Sequence, residues 1–216
     1  RDLHYPLRRQ RQMCIRDRYN YRTFNYRHLL VAPFSMRRRL NLLIDNEINN
    51  AKRKQPAFIY CKINNLVDQD IIRRLYQASA AGVDIKLIVR GMCTLIPSKP
   101  ESDGKIKVIS VVDRLLEHSR IFIFCNGGNE KYYISSADWM TRNLDYRVEV
   151  AVPIYDPDIQ KELKHIIEAG FKDNAKARII DSKLSNVYVD PKGKKPYRSQ
   201  LELNQHYINN YKNSKQ

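Results

Sequence analysis

His118 stands two residues before Arg120, at the head of an apolar run, Ile121–Phe124. Asn126-Gly127-Gly128 then supplies a turn, and a second β-like run over 132–134 ends in Ser135, Ser136 and Asp138. A histidine, a nearby cation and small polar residues across a hairpin make a group suited to handling an anion. A neutral imidazole can attack phosphorus or move a proton near pH 7. A guanidinium can grip phosphate oxygens through two parallel N–H groups. Plainer readings stand beside these: a lone histidine is usually structural, and Ser135, Ser136 and Asp138 suit hairpin ends and caps. Glu117, on the other face of an extended chain from His118, is expected to pair with a cation elsewhere.

The elements around this stretch supply a second candidate. Residues 57–63 read as a strand ending at Asn64-Asn65. Asp68 then opens a helix with Ile71, Ile72, Leu75 and Ala78 facing inward, and Gly82 closes it. Residues 84–89 form the next strand and lead into Arg90-Gly91. Strand, helix and strand in this order imply a right-handed crossover and a parallel pair. Asn64 and Arg90 then sit at the carboxyl ends of neighbouring strands, where open α/β sheets bind ligands. The alternative for Arg90 is a salt bridge to a local carboxylate. The loop 91–104 is placed to lie over the site.

Upstream, 29–32 reads as a strand, and Pro33-Phe34-Ser35 turns into a helix with Met36, Leu40, Leu43, Ile44, Ile48 and Ala51 at helical spacing. Ser35 suits the N-cap. Arg37 falls in the first turn, where backbone N–H groups favour an anion, unless it is merely exposed beside Arg38 and Arg39. Downstream, strands are expected over 105–110, 120–125, 131–135 and 146–153, then a helix over 157–169 ended by Gly170. A basic tail, 176–216, with a last helix over 200–211, is expected to wrap the domain. The spacing predicts an α/β fold with a mixed, mainly parallel sheet flanked by helices.

The net charge of +16 is concentrated at the ends of the chain. Residues 1–27 hold eight arginines against two aspartates, and 172–216 hold ten lysines and arginines against four acids, leaving +4 for the body. Such a balance serves nucleic acid, an anionic membrane surface or a polyanionic substrate. No RRM, KH or helix-turn-helix pattern appears, so nucleic acid is not expected. No apolar run approaches the length of a membrane span, and no signal peptide is legible. Cys14, Cys61, Cys93 and Cys125 lack CxxC spacing and read as reduced thiols of a cytoplasmic protein.

Several phrases then coincide: EHSRIFIF at 117–124, NGG at 126–128, YYISSADWM at 132–140, RNLD at 142–145 and RVEV at 147–150. LLVAPFSMR at 29–37, KINNLVD at 62–68 and LIVRGMC at 87–93 join them. In this order, over about 19–188, the sequence resembles bacterial polyphosphate kinase, specifically the last of its four domains. The resemblance implies a fold like one half of a phospholipase D, with His118-Ser119-Arg120 where that family has His-x-Lys. It implies that His118 is catalytic and faces a phosphorylated histidine of the preceding domain, as proton donor or acceptor or as stabiliser of the phosphoryl group. Arg90, His118 and Arg120 would contact ATP, ADP or polyphosphate.

Magnesium is implied by the family alone, with ligands in another domain. The expected partners are inorganic polyphosphate, ATP and the remaining domains, in a homo-oligomer with peripheral membrane association. The domain is expected over 19–175. Residues 1–18 fit none of the resemblance and are expected to be a spurious extension, so that the chain reads as a fragment lacking the phosphoacceptor domain and inactive alone. Competing readings are a phospholipase-D-like phosphodiesterase, which arginine at 120 disfavours, and a basic nucleic-acid-binding module. Trp139, Tyr132 and Tyr133 read as core rather than as an adenine platform.

Overall fold

The computed structural model describes residues 26–97, 106–183 and 185–213. The stretch 1–18 and the junction near Tyr19 lie outside them, as does the second half, 98–104, of the loop expected over the site. In chain order the elements are β1 (Leu30–Ala32), α1 (Met36–Lys52), β2 (Phe58–Ile63), α2 (Gln69–Ala80), β3 (Asp84–Val89) and β4 (Ile106–Val111). There follow β5 (Ile121–Phe124), β6 (Lys131–Ser135), β7 (Glu149–Ile154), α3 (Pro157–Lys172), β8 (Ala177–Ile179) and α4 (Ser199–Asn213).

The eight strands form one sheet in the order β1-β7-β6-β5-β2-β3-β4-β8. Alternation within β2 sends Ile59, Cys61 and Ile63 to one face and Phe58, Tyr60 and Lys62 to the other. The first face packs on Leu40 and Ile44 of α1 and on Ile71 and Leu75 of α2. The second packs Ile88, Ile109 and Ile123 on Leu163 and Ile167 of α3. Each such fully buried aliphatic contributes about 1.5–3 kcal/mol before entropy is counted. The central strands are therefore covered on both sides, which explains the unbroken burial of β5.

The sheet is mixed, but its parallel part is the smaller one, a correction to the sequence reading. Only β2–β3 and β3–β4 run parallel, while β1–β7, β7–β6, β6–β5, β5–β2 and β4–β8 are antiparallel. A parallel neighbour needs a long crossover. The turn between β5 and β6 is too short for one, and β5 reaches the open edge of β2 from the opposite direction.

Other expectations shift for local reasons. Asp68 caps α2, accepting from the Ile71 N–H at 3.1 Å. Ser35 occupies the N-cap of α1, but its side chain makes no capping bond and lies 3.4 Å from Val31 instead. The strand expected from 146 begins at Glu149, because Arg142–Tyr146 winds into a π-helical turn. Gly170 does not end α3. A Cβ there would lie 2.5 Å from Cδ1 of Ile88, so this glycine lets the helix lie close on β3. Asp173 ends it instead, one carboxylate oxygen accepting from the N–H groups of Ala175, Lys176 and Ala177. The tail supplies β8, the eighth strand, which was not foreseen, and α4 packs against α3. No helix among the described residues is long and apolar enough to cross a membrane.

Candidate functional site

The carboxyl ends of β2 and β3 and the amino end of β5 meet at one edge of the sheet. Asn64 and Arg90, which leave β2 and β3, are held side by side by the parallel register that pairs Ile63 with Val89. Arg90 donates from Nε and Nη2 to the Asn64 side-chain oxygen at 3.0 and 2.9 Å. This partner is neutral. Among the described residues no carboxylate pairs with Arg90, so its charge is oriented but not neutralised.

Asn64 passes the connection on, its backbone N–H donating to Asp138 Oδ1 at 2.8 Å and its side-chain amide to the same oxygen at 3.2 Å. Asn65 donates to Asp138 Oδ2 at 3.0 Å and accepts from the Met92 N–H at 3.0 Å. Gly91 makes room for this: a Cβ there would lie 2.7 Å from Asn65 Oδ1 and 2.9 Å from the Asn64 carbonyl. From the other side Arg120 donates through Nε to Asp138 Oδ1 at 2.9 Å and through Nη2 to Oδ2 at 3.3 Å.

Arg120 also reaches His118, through Nη1 to its carbonyl and through Nη2 to its Nε2, each at 3.3 Å. Because a guanidinium only donates, that contact sets the lone pair of the imidazole on Nε2 and its proton on Nδ1. The ring itself is exposed. Burial alone would raise the Asp138 carboxyl. The bonds from Arg120, Asn65 and the Asn64 backbone outweigh it and hold the group below the ordinary carboxylate range.

His118, Arg120, Asp138 and Arg90 are thus joined through Asn64 into one polar path. Arg120 differs from expectation, however. Its side chain is only 12% exposed and its fork is already engaged by Asp138, so it orients His118 rather than standing open to phosphate. Ser135 and Ser136 keep to the hairpin, bonding the Val150 carbonyl, the Ala137 N–H and Glu149. Glu117 pairs with Lys62 of β2, the remote cation it was expected to find.

Arg37 holds no free charge: it forks onto Asp68 at 2.9 and 2.6 Å and onto Asp145 at 2.6 and 2.7 Å. Trp139, Tyr132 and Tyr133 are buried, Trp139 against Phe122. Two participants went unread, Asn65 and Lys62. A lysine alone in an apolar strand, followed by paired asparagines, was the available signal. His28 bonds Tyr155, and His165 lies against His206, so none of these touches His118. No group of three or more potential metal ligands occurs among the described residues. Asp138 has both oxygens committed to donors, so these side chains do not fit a magnesium site.

Over residues 29–200 the sequence matches the family described as polyphosphate kinase C-terminal domain 2. It is 49% identical over 183 residues to the polyphosphate kinase of Escherichia coli K12 and 50% identical to that of Klebsiella pneumoniae. Both matches cover 85% of this chain and 27% of the relative. The crystal structure of polyphosphate kinase from Porphyromonas gingivalis superimposes with a TM-score of 0.86 at 42% identity, covering 94% of this chain and 31% of that one. Nuc from Salmonella typhimurium, a phospholipase D family member, shares the fold with a TM-score of 0.53 at 16% identity, covering 71% of this chain and 97% of that one. The chain spans less than a third of the length of the polyphosphate kinases it matches.

Proposed function

This chain belongs to the polyphosphate kinase C-terminal domain family, and from that premise we propose that it is the C-terminal catalytic part of an enzyme that reversibly transfers the terminal phosphate of ATP to inorganic polyphosphate. The observation that carries this reading is the bonded path from Arg90 through Asn64, Asp138 and Arg120 to an exposed His118. It sets a cation that has no carboxylate partner among the described residues and an oriented imidazole at one rim.

Phosphoryl transfer needs positioning and charge neutralisation more than covalent chemistry from the protein. Arg90 grips non-bridging oxygens of the nucleotide or polyphosphate. His118, with its proton on Nδ1, donates to a phosphoryl oxygen as the group passes to or from a histidine of the preceding domain. Arg120 and Asp138 hold the ring at that angle. Any magnesium would be supplied with the nucleotide, since the residues named here would not hold it, and no step here depends on it. Self-association, a cytoplasmic location and peripheral attachment to an anionic membrane belong to the same proposal, the last supported by the net charge of +16.

The test is polyphosphate synthesis from ATP by the complete enzyme containing this chain, with and without His118→Ala. Synthesis that survives the substitution at more than a tenth of the original rate would refute the role given to His118. The chain alone should bind polyphosphate weakly and synthesise none.

A further inference from the structure

His118 lies in the stretch 112–120, which contains neither helix nor strand and whose Val112, Leu115 and Leu116 side chains are exposed. A segment with so little apolar burial has no core to choose its conformation. Its second half is held by the Glu117 pair with Lys62 and the Arg120 fork on Asp138.

The first half is held by a different part of the chain. Arg198 donates from Nε and Nη2 to both oxygens of Asp113, at 2.7 and 2.6 Å. The Asp113 side chain is only 2% exposed. The amide of Gln200 bonds the Leu115 backbone reciprocally, accepting from its N–H at 2.9 Å and donating to its carbonyl at 2.8 Å. Between them, Ser199 donates from its backbone N–H and its hydroxyl to Asp173 Oδ2, both at 2.8 Å. Asp173 and Ser199 are buried, so the base of this arrangement is fixed to the end of α3.

We propose that Arg198 and Gln200 are positioning residues for His118, together clamping the loop that carries it against the body of the domain. The inference rests on the catalytic role proposed above. Neither residue touches the imidazole. Their effect is to limit the loop to the conformations in which Arg120 can orient the ring, and a displacement of about 1 Å in such a group costs on the order of 100-fold in rate.

The experiment pairs kinetics of the complete enzyme with hydrogen–deuterium exchange of this chain, using Arg198→Ala, Gln200→Glu and Arg198→Lys. Gln200→Glu keeps the size but removes the donor to Leu115. Arg198→Ala and Gln200→Glu should lower kcat about tenfold or more, with KM for ATP within twofold because Arg90 is untouched. Arg198→Lys should recover part of the loss. Exchange over 112–120 should accelerate while β2 and β3 keep their protection. Unchanged kcat in both variants, or exchange that rises equally across the sheet, would overturn the clamp. A wild-type enzyme that made no polyphosphate would instead strike at the proposed function. The exchange arm would then decide alone, unchanged protection over 112–120 refuting the clamp and a selective loss there supporting it.

Discussion

Arg37 and Arg90 both follow the carboxyl end of a strand, both are partly buried, and in sequence both suit an anion. The fold gives them opposite fates. Arg37 meets the Asp68 that caps α2 and the Asp145 of the π-helical turn, and it fastens three elements with its own charge wholly engaged by two carboxylates. Among the described residues Arg90 meets only the neutral oxygen of Asn64, so there it is aimed without being neutralised. A buried pair is costly to break but is poor at binding anything else. An oriented, unpaired cation stabilises the fold little and is free to serve a ligand. The same contrast separates Arg120, engaged by Asp138, from Arg90.

If this division holds, the two kinds of site fail in different assays. His118→Ala should reduce polyphosphate synthesis by the complete enzyme at least 100-fold, the usual scale for a lost proton-transfer group. Its melting temperature should hardly move, since the ring is exposed. A large fall in melting temperature would place His118 among the fastening residues instead.

Arg37→Ala should show the reverse. It leaves Asp68 buried without its cation and costs about 3 kcal/mol of stability, measured by urea unfolding of this chain. A loss under about 1 kcal/mol would dissolve the contrast. Arg90→Ala should leave unfolding nearly unchanged and weaken nucleotide binding by roughly 1.5–3 kcal/mol, the range for a charge-assisted contact. Arg90→Lys should rescue it only partly, because a point charge loses the fork.

Glu47 sharpens the comparison from the opposite sign, as a buried carboxylate that makes no ion pair among the described residues, Lys131 acting on it only at a distance. It accepts from the Asn126 N–H at 2.6 Å, and burial pushes its carboxyl up to about 7. A carboxyl raised in the folded state contributes stability that is fully present below its ordinary value of 4.5 and is lost as pH rises through about 7. Glu47→Gln should flatten that slope while keeping the acceptor for Asn126. An identical pH–stability curve for both proteins would show that burial does not govern this group.

Asp68 as a cap, the register-bearing strand from Asp84 to Val89 and the core face of α1 follow from local pattern, because helical and extended periodicities act over a few residues. So does the meeting of Asn64 with Arg90, which one crossover connection dictates. His118 and Arg120 were conspicuous because their chemistry is unusual beside an apolar run. Family wording carried the reading further than residue types could.

Other features depended on which strands become neighbours. The antiparallel majority of the sheet arises when β5 takes the open edge of β2, and nothing local to either strand names that partner. Asp145 lies 108 residues from Arg37 and Asp113 lies 85 from Arg198, so their pairing is decided only once the sheet is assembled. The sequence by itself determined which groups could carry charge and where most of the helices and strands would run. Only the tertiary structure decided which charges are cancelled, because an ion pair between distant residues depends on a few ångströms of separation that no one-dimensional spacing contains.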